Sequence, residues 1–597
     1  MAIEKANKEV KQKDRLKEKE IQSIIKYIED LGKKRILVED IQDAIEQKIM
    51  EFRKYELAKR YIVYRYTRAL VRRKNTTDES ILGLIKTTNK EFIQANPTNK
   101  PITAAKQRDL IAGEVSKDLT NRMLLPEKIT KAHNEGIIYF HNPEYFLQPM
   151  FNSCLVNIKD MLKNGTVING FLIDTPKDFK TACIVITQII LQIASNQYGE
   201  QSIDINCLGE FLNKTYNNLN EQFINDEYIK TGEENLITEK RLKEELSSGI
   251  EIIYQQLNTI MSTNGHTPKV TIVLNIDKKD EYYKENIMII EEILKQKYYG
   301  MKNENGEYVS PDVPKLVYVL NENNLLDKEY ENLTKLAIKC SEKTFYPEYI
   351  SAKKVKNNNY SFNQGVVSIN LPQIAIMANK EEDKFWNLLD ERLELCYEAL
   401  MCRHYSLLGT TSDISPIHWR YGAVSRLNSG EKIDKLLKSA YSTISLEYEG
   451  LCEATQIIKS ISYITKKGNE FAVKVLKHIK NTLEKWKQES NINFILSGLD
   501  NTNASYELVK IDKEKNVQIE EIKNKEYYTN SIKVKCSEDL DILEILKYES
   551  KFQNISTGEY ISYVDIYYIK NNKQEKIKEL IDYIYNHALY VAFKEIN

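Results

Sequence analysis

One stretch of the chain, Met150–Ser202, constrains the fold more than any other. It begins with a short apolar run, Ser153–Ile158, and continues into a long segment, Phe179–Ser195, where Ile, Leu and Val recur at helical spacing. A polar, glycine-containing turn, Asn196–Gln201, follows at once. A helix this apolar has to be buried, so the pattern predicts a core helix that ends at the edge of a cleft.

The same helix carries polar side chains whose role the sequence leaves open. Buried polar groups need hydrogen-bond partners, which either the core or a ligand can supply. Satisfied core groups are the more common case. The side chains concerned are Thr187, Gln188, Gln192, Ser195 and Asn196.

Length and charge narrow the class of protein. With 597 residues, the chain can form two or more domains, or one large barrel with additions. It has 85 Lys and Arg against 86 Asp and Glu, a formal net charge of -1. No overall field therefore favours a nucleic acid or an anionic membrane as partner.

The cysteines and the N-terminus indicate the compartment. Eight cysteines are scattered without a C-x-x-C pair, which argues against a zinc ribbon and favours reduced thiols. The N-terminus is charged, and Thr and Gln interrupt the most apolar run, Ile184–Ala194. We therefore expect a cytoplasmic protein that is neither exported nor membrane-spanning.

The first 75 residues predict a small helical unit. Residues 1–30 are rich in Lys and Glu and are typical of a solvated helical lead-in. Two amphipathic helices follow, Val38–Met50 and Glu56–Arg73. They form either a plain helical cap or a nucleotide-sensing module in which Arg65 and Arg68 lie near phosphates.

Beyond a polar, linker-like segment, Asn75–Asn99, strand-like segments alternate with long helices. One long helix is predicted at Trp386–Leu408. This alternation favours an α/β barrel or a layered sheet. No fixed-period repeat, P-loop or H-E-x-x-H pattern is present. The strand-like segments are Lys269–Ile276, Leu316–Leu320, Val366–Asn370 and Tyr441–Leu446.

Several blocks of sequence, in order along the chain, resemble a single family. The blocks are Gln107–Gly113, Asn152–Gly170, Thr181–Cys183, Thr187–Ile190, Ala194–Gly199, Asn264–Pro268, Asn363–Pro372, Ser415–Pro416 with Trp419, Tyr421–Ala423, Tyr441–Leu446 and Ile561–Val564. They resemble the large subunit of anaerobic (class III) ribonucleoside-triphosphate reductase, a glycyl-radical enzyme. The resemblance runs from about Asn89 to about Tyr590. It implies a ten-stranded α/β barrel of the ribonucleotide reductase type.

The N-terminal residues 1–73 resemble the ATP-cone of that family, chiefly through Val38–Asp43 and Tyr61–Arg65. The resemblance therefore divides the chain into a degenerate cone-like domain at 1–75, a linker at 76–99 and the barrel at 100–597.

The cone implies ATP or a deoxynucleoside triphosphate as a possible effector, with Lys5, Arg65 and Arg68 as the candidate nucleotide-binding residues. Two departures put ATP binding in doubt. The turn of the family's hairpin reads Ala6–Lys8 here, and the connection from Lys26 to Ile36 is short for the family's second helix.

The family's chemistry requires three groups that this sequence lacks at the matching positions. The first is a glycyl radical near the C-terminus, which follows a four-cysteine zinc site. The second is a cysteine on a loop threaded into the barrel. The third is a further cysteine on the first strand, and many members use formate as the reductant. Here the last glycine is Gly558, the last cysteine is Cys536, and the given sequence ends at Asn597. The finger-loop region 351–361 has no cysteine, and Ser153 occupies the first-strand position.

We therefore predict no zinc, no metal site and no catalytic residue. Cys154 should point to the opposite face from Ser153 if the strand is regular. Cys154 and Cys340 remain alternative radical thiols, although each lies on a regular element.

Smaller departures from the family's sequence pattern also argue against catalysis. Tyr139 and Asn142 stand where the family tends to have His and Asp, and Glu200, Glu447 and Ala440 stand where it tends to have glycines. An acidic side chain at the mouth of the barrel would repel a nucleoside triphosphate.

The matched blocks still define an ancestral substrate cavity. Either its side chains line a space that holds a ligand, or they fill that space themselves. The candidate residues are Asn152, Ser153, Cys154, Gln197, Tyr198, Asn363 and Gln364.

Three functional hypotheses follow. The first is a catalytically inactive relative kept for nucleotide binding or for regulation of a partner, as a homodimer through about Gln197–Phe223 or as a heteromer with an active reductase. The second is a reductase whose glycyl-radical part is supplied in trans. The third is a structural or interaction protein without a ligand. None of them involves nucleic acid or a membrane.

Overall fold

The computed structural model describes residue 7 and residues 10–30, 38–65, 77, 81, 84 and 103–595, with gaps at 225–233, 326–329, 355–359, 440, 499–501, 516–518, 530–540, 557 and 559. Contacts along the chain divide it into two compact units, Met1–Pro101 and Ile102–Asn597. None of the helices in the described ranges is long and apolar enough to cross a membrane.

The N-terminal unit is helical and has a core of its own. It contains α1 (Glu18–Asp30), α2 (Val38–Glu51) and a helix over residues 55–65. The expectation of a solvated lead-in is wrong, because Ile21, Ile24 and Ile28 repeat at helical spacing and give α1 an apolar face. The buried residues of this core are Val10, Leu16, Ile24, Ile49, Leu57, Ala58 and Tyr61.

The second unit is built around a large sheet. Its strands and two short ribbons are β1 (Ile138–Phe140), β2 (Ser153–Leu155), β3 (Thr166–Ile168), β4 (Phe171–Ile173), β5 (Gln201–Asp204), β6 (Val270–Leu274), β7 (Met301–Lys302), β8 (Tyr308–Val309), β9 (Lys315–Leu320), β10 (Glu348–Ser351), β11 (Phe362–Asn370), β12 (Ser442–Glu449), β13 (Phe494–Ser497), β14 (Ser562–Asp565) and β15 (Tyr590–Lys594). The ribbons are β3–β4 and β7–β8, and β1 adds to β11 beside the main order.

Ten strands form a closed barrel in the order β13-β12-β11-β2-β5-β6-β9-β10-β15-β14. Gly498, next to β13, bridges to Tyr560, next to β14. Beside this bridge, the Gly558 N–H donates to the Leu496 carbonyl at 2.8 Å. These contacts join the two ends of the sheet, so the predicted ten-stranded α/β barrel is confirmed.

The barrel consists of two halves of parallel strands that run in opposite directions. Strands β2, β5, β6, β9 and β10 pair in parallel, and so do β11 with β12 and β13, and β14 with β15. The halves meet at two antiparallel joints, β11 with β2 and β10 with β15. Parallel strands need crossover connections, and helices supply them here.

The helices form the layer around this barrel. They are α3 (Ala104–Leu119), α4 (Glu127–Asn134), α5 (Ile158–Asn164), α6 (Phe179–Ala194), α7 (Gly209–Ile224), α8 (Glu234–Thr259), α9 (Tyr283–Tyr299), α10 (Glu322–Leu325), α11 (Glu331–Thr344), α12 (Leu371–Ala378), α13 (Glu382–Leu407), α14 (Pro416–Trp419), α15 (Leu451–Lys459), α16 (Lys466–Ser490), α17 (Thr502–Lys515), α18 (Glu520–Lys523), α19 (Ile542–Gln553), α20 (Ile566–Asn571) and α21 (Gln574–His587).

The apolar helix of the opening stretch is α6. Thr187, Ser195 and Asn196 have hydrogen-bond partners within the protein, whereas Gln188 is exposed. Asp178 caps the N-terminus of α6 by accepting the Thr181 N–H at 2.7 Å. The Ser195 hydroxyl donates to the Leu191 carbonyl at 2.9 Å. The Thr187 hydroxyl lies within hydrogen-bond distance of the Ile184 carbonyl and of the Gln256 side chain, and it can donate its single hydrogen to one of them at a time. These groups therefore belong to the core of the helix layer.

Candidate functional site: the inner face of the barrel

The register of β2 separates Ser153 from Cys154. Ser153 lies opposite Asn363 on β11, and Cys154 lies opposite Phe362. Successive residues of a strand point to opposite faces, so one of the two faces the inside of the barrel and the other faces the helix layer. The polar side is the inner one: Asn363 donates to Thr443 at 3.0 Å and to Ser445 at 2.7 Å.

A polar stripe continues along this inner face on β12. Thr443, Ser445, Glu447 and Glu449 alternate with residues of the opposite face, and all four are buried. The opposite face of β11 and β12 is apolar and is covered by helices such as α13. Its members include Val367, Ile369, Ile444 and Leu446.

Two buried carboxylates occupy the middle of the stripe. The exposed fraction is 3% for Glu447 and 1% for Glu449. The Ser368 hydroxyl lies 3.4 Å from Glu447 Oε2 and 3.5 Å from Glu449 Oε1, and it can donate its single hydrogen to one of them at a time. This part of the inner wall is acidic.

His141, the residue that follows β1, completes this group. Its Nε2 lies 2.7 Å from Ser368 Oγ and 3.5 Å from Glu447 Oε2. Burial is the main cause that lowers the pKa of His141 to about 3, and the charge of Arg403 adds to it. At this pKa the His141 imidazole is neutral at pH 7.

Cys154 is held on the other face by a defined chain of hydrogen bonds. Its S–H donates to Gln197 Oε1 at 3.1 Å, and His418 Nε2 lies 3.2 Å from the same oxygen. The Gln197 amide donates to the Glu200 carbonyl at 3.0 Å, and the Ser415 hydroxyl lies 2.7 Å from His418 Nδ1. One protonation pattern satisfies this chain: a thiol, and a neutral imidazole protonated at Nε2.

Electrostatics support that pattern. Burial raises the pKa of the Cys154 thiol far above its usual range, and the hydrogen bond to Gln197 offsets only part of the effect. Burial also lowers the pKa of His418 to about 3. Because neither a thiolate nor an imidazolium is favoured, Cys154 is not an activated nucleophile.

The other candidate residues fall on both sides of the sheet. Asn152 donates to Asn363 at 3.4 Å, and the Gly199 N–H donates to the Asn152 carbonyl at 2.7 Å. Gln364 lies toward the helix layer, where it donates to Ser442 at 2.9 Å and lies 2.9 Å from His404 Nδ1. The structure thus brings Asn152, Ser153 and Asn363 together and places Cys154, Gln197 and Gln364 on the opposite side.

Tyr198 packs parallel to Tyr145, with ring centroids 5.2 Å apart. Gly199 has to be glycine, because an added Cβ would lie 2.2 Å from the Asn152 carbonyl oxygen. Glu200, which follows it, accepts a hydrogen bond from Thr271 and lies 3.5 Å from Lys315 Nζ.

The second alternative thiol, Cys340, lies on α11 within the helix layer. Its sulfur donates to the Leu294 carbonyl at 3.5 Å, and burial raises its pKa to about 11. The connection from β10 to β11 has ten residues, 352–361, without a cysteine, and 355–359 of it lie outside the described residues. In the described part of the chain, no group of three or more His, Cys, Asp or Glu could hold a metal ion.

In the N-terminal unit, Arg65 is already paired. Its Nη1 lies 2.6 Å from Asp43 and 3.0 Å from Glu46, so carboxylates compensate its charge. Lys5 and Arg68 lie outside the described residues.

Sequence reasoning missed four residues of this region: Ser368, His418, Glu449 and Arg403. Alternation along β11 and β12 could have found Ser368 and Glu449, which follow two residues after Val366 and Glu447 on the same face. His418 and Arg403 carry no local signal, since their partners come from distant segments.

A closed barrel of two antiparallel halves of parallel strands, surrounded by helices, defines the class of ribonucleotide reductases and glycyl-radical enzymes. The family described as anaerobic ribonucleoside-triphosphate reductase matches residues 96–595, and the ATP cone domain matches residues 1–70. The chain therefore belongs to the anaerobic ribonucleoside-triphosphate reductase family, with an ATP-cone at its N-terminus.

Relatives agree with this assignment. The chain is 31% identical to the anaerobic ribonucleoside-triphosphate reductase of Enterobacteria phage T4, over 86% of this chain and 88% of that protein. It is 28% identical to the enzyme of Escherichia coli (strain K12), over 94% and 82%. The crystal structure of the anaerobic ribonucleotide reductase from Thermotoga maritima in complex with dATP and CTP has a TM-score of 0.64 and 15% identity, covering 87% of this chain and 90% of that one.

Proposed function

We propose that this chain is a non-catalytic member of its family that binds nucleoside triphosphates as effectors and acts through a protein partner. The observation that carries the proposal is the position of the β2 thiol. Ser153 faces Asn363, whereas the sulfur of Cys154 donates to Gln197 on the opposite face. The radical chemistry implied by the resemblance needs a thiol on the inner face.

The acidic inner wall supports the same proposal. Glu447 and Glu449 are both buried there, and burial lowers the pKa of His141, which lies 3.5 Å from Glu447. Two like charges a few ångströms apart repel by roughly 1–4 kcal/mol at the effective dielectric constants of solvated sites. A triphosphate in the interior carries several negative charges, and each of them would be repelled in this way.

The absence of a cysteine from residues 352–361 agrees with this view, because no thiol can enter the barrel on that connection. A reductase with a glycyl-radical segment supplied in trans would still need both thiols. No observation favours that alternative.

The parts of the family's structure that this chain retains support an effector role. The scaffold and the cone both survive, and one neighbouring structure is described as the Thermotoga maritima enzyme with dATP bound in the specificity site. By analogy we assign this chain a deoxynucleotide or ATP effector. Its partner is a second copy, through about Gln197–Phe223, or an active reductase.

Calorimetric titration of the full chain with ATP, dATP and the other deoxynucleoside triphosphates tests the proposal. We expect a Kd in the micromolar range, which corresponds to about -8 kcal/mol. The variant Arg65→Ala reports on the cone, and Arg420→Ala, which breaks a surface pair with Asp413, is the matched control. The absence of binding to every nucleotide would contradict an effector role.

A second measurement addresses the loss of catalysis. The full chain is incubated anaerobically with ribonucleoside triphosphates, formate and the radical-generating enzyme of an active family member. We expect no deoxynucleotide product. Sustained turnover would overturn the non-catalytic assignment even if effectors bind.

A further inference from the structure

A buried arginine in the helix layer lies outside the inner face described above. Arg403, near the end of α13, runs across β11 at Gly365, where an added Cβ would lie 2.9 Å from Arg403 Cδ. The centre of its guanidinium lies 4.0 Å from the centroid of the Phe140 ring, 5.4 Å from Phe146 and 6.0 Å from Tyr198. The guanidinium is thus held among aromatic rings.

Arg403 forms no ion pair with a described residue, although the charge of Glu144 acts on its guanidinium from a greater distance. Its side chain is 2% exposed, Nε and Nη2 have no hydrogen-bond partner, and no carboxylate of the described residues lies within 4.0 Å. Burying a guanidinium without a directly bonded anion is unfavourable, and contact with an aromatic ring offsets only part of that cost. The fold therefore tolerates a guanidinium that an anion would stabilise.

The unpaired atoms define which anion would fit. Nε and Nη2 lie on one edge of the guanidinium, and their N–H bonds are parallel. This edge matches the two oxygens of a carboxylate, and arginines bind carboxylates in this bidentate way. The Tyr198 hydroxyl is also buried without a partner and can donate a third hydrogen bond.

We propose that Arg403 and Tyr198 form a binding site for a small carboxylate anion, in the layer between β11 and α13. The rings of Phe140, Phe146 and Tyr145 limit the space, so the site favours a short, flat acid over a nucleotide. Nε and Nη2 of Arg403 are shielded from solvent, and the Tyr145 ring stacks on the Tyr198 ring.

Thermal unfolding of the full chain tests the proposal with sodium acetate as the probe and sodium chloride at equal ionic strength as the reference. We expect acetate at about 100 mM to raise the Tm of the barrel by roughly 2 °C more than chloride does. Arg403→Met keeps the length of the side chain and should abolish the acetate-specific shift. Arg420→Met, at a surface ion pair, should leave it unchanged.

If Arg403→Met does not fold, Tyr198→Phe provides the test of the anion site. Loss of one hydrogen bond should weaken the apparent acetate affinity about 5- to 10-fold. No acetate-specific shift in the wild type, or the same shift in Arg403→Met or Tyr198→Phe, would overturn the site. An equal Arg403-dependent shift with inorganic phosphate would overturn the assignment to carboxylates.

Discussion

Ser153 and Cys154 are neighbours on β2, and the alternation of the strand gives them different chemistry. Ser153 lies opposite Asn363 on the polar inner face. Cys154 lies in the helix layer, where Gln197 accepts its hydrogen and burial keeps the thiol protonated. A shift of the register by one residue would exchange these positions, so the identity of the inner residue depends on the pairing with β11.

This arrangement predicts low reactivity for Cys154. We expect iodoacetamide at pH 8 to leave Cys154 unmodified in the native protein and to modify half-buried Cys402 first, as measured by peptide mass spectrometry. Gln197→Ala should speed the labelling of Cys154, because the variant removes the acceptor and opens space beside the sulfur. Gln188→Ala, at an exposed position of α6, is the control. Labelling of native Cys154 as fast as Cys402 would contradict this description of the thiol.

At the scale of elements, the barrel closes between β13 and β14. The described contacts there include the bridge from Gly498 to Tyr560 and the hydrogen bond from Gly558 to Leu496. In contrast, β11 and β12 are paired from Phe362 with Ser442 to Asn370 with Glu449. We expect the closing joint to open before the long β11–β12 pairing does.

We predict that Gly558→Val destabilises this joint. An added Cβ would lie 3.0 Å from the Ser497 Cβ and 3.1 Å from the Leu496 carbonyl oxygen. Overpacking of this kind costs about 1–3 kcal/mol, measured by chemical denaturation, and hydrogen exchange should increase first along β13 and β14. Gly113→Ala on α3 is the control, since its Cβ would make only an ordinary 3.5 Å contact with the Glu144 side chain. Unchanged exchange along both strands would contradict the early opening of this joint.

The sequence was sufficient to predict helices and strands whose apolar residues recur at helical spacing or form a continuous apolar run. The predicted helix Trp386–Leu408 is α13, which begins four residues earlier at Glu382. The predicted strand Val366–Asn370 is the second half of β11, whose first half escaped notice because Asn363 and Gln364 are polar yet buried. Polar residues in a barrel strand are paired across the sheet, and local hydropathy carries no sign of that pairing.

The candidate site was less predictable for a related reason. The resemblance placed all seven candidates in one ancestral cavity, and it could not assign Gln364 to the outer face. That assignment depends on the irregular register of β11 against β12 between Asn363 and Val366. Arg403 was missed because the rings around it, Phe140, Phe146 and Tyr198, lie far from it in the sequence.

At the scale of the whole molecule, the chain consists of two units with separate cores. The N-terminal core is small, whereas the barrel core extends through all ten strands and their helices. A small unit buries a smaller fraction of its surface and is correspondingly less stable. The two units should therefore unfold separately.

We predict two transitions in differential scanning calorimetry, the first from the N-terminal unit. Ile24→Ala should lower the first Tm, and Ile289→Ala on α9 should lower the second, because each removes a side chain that is 0% exposed. Each change costs about 2–5 kcal/mol. If either variant moved both transitions equally, the units would be coupled and the prediction would be wrong.

The acidic inner wall also has an evolutionary consequence. Under the non-catalytic function proposed above, restoring a cysteine at Ser153 would place a thiol on a face that it shares with Glu447 and Glu449, and two acidic side chains would remain beside the substrate. Removing the carboxylates alone would leave the face without a thiol. On that proposal neither single change restores reduction, so selection for reduction could not favour either step on its own. The proposed loss of catalysis would then act as a ratchet, and the chain would specialise in the roles that its scaffold still supports.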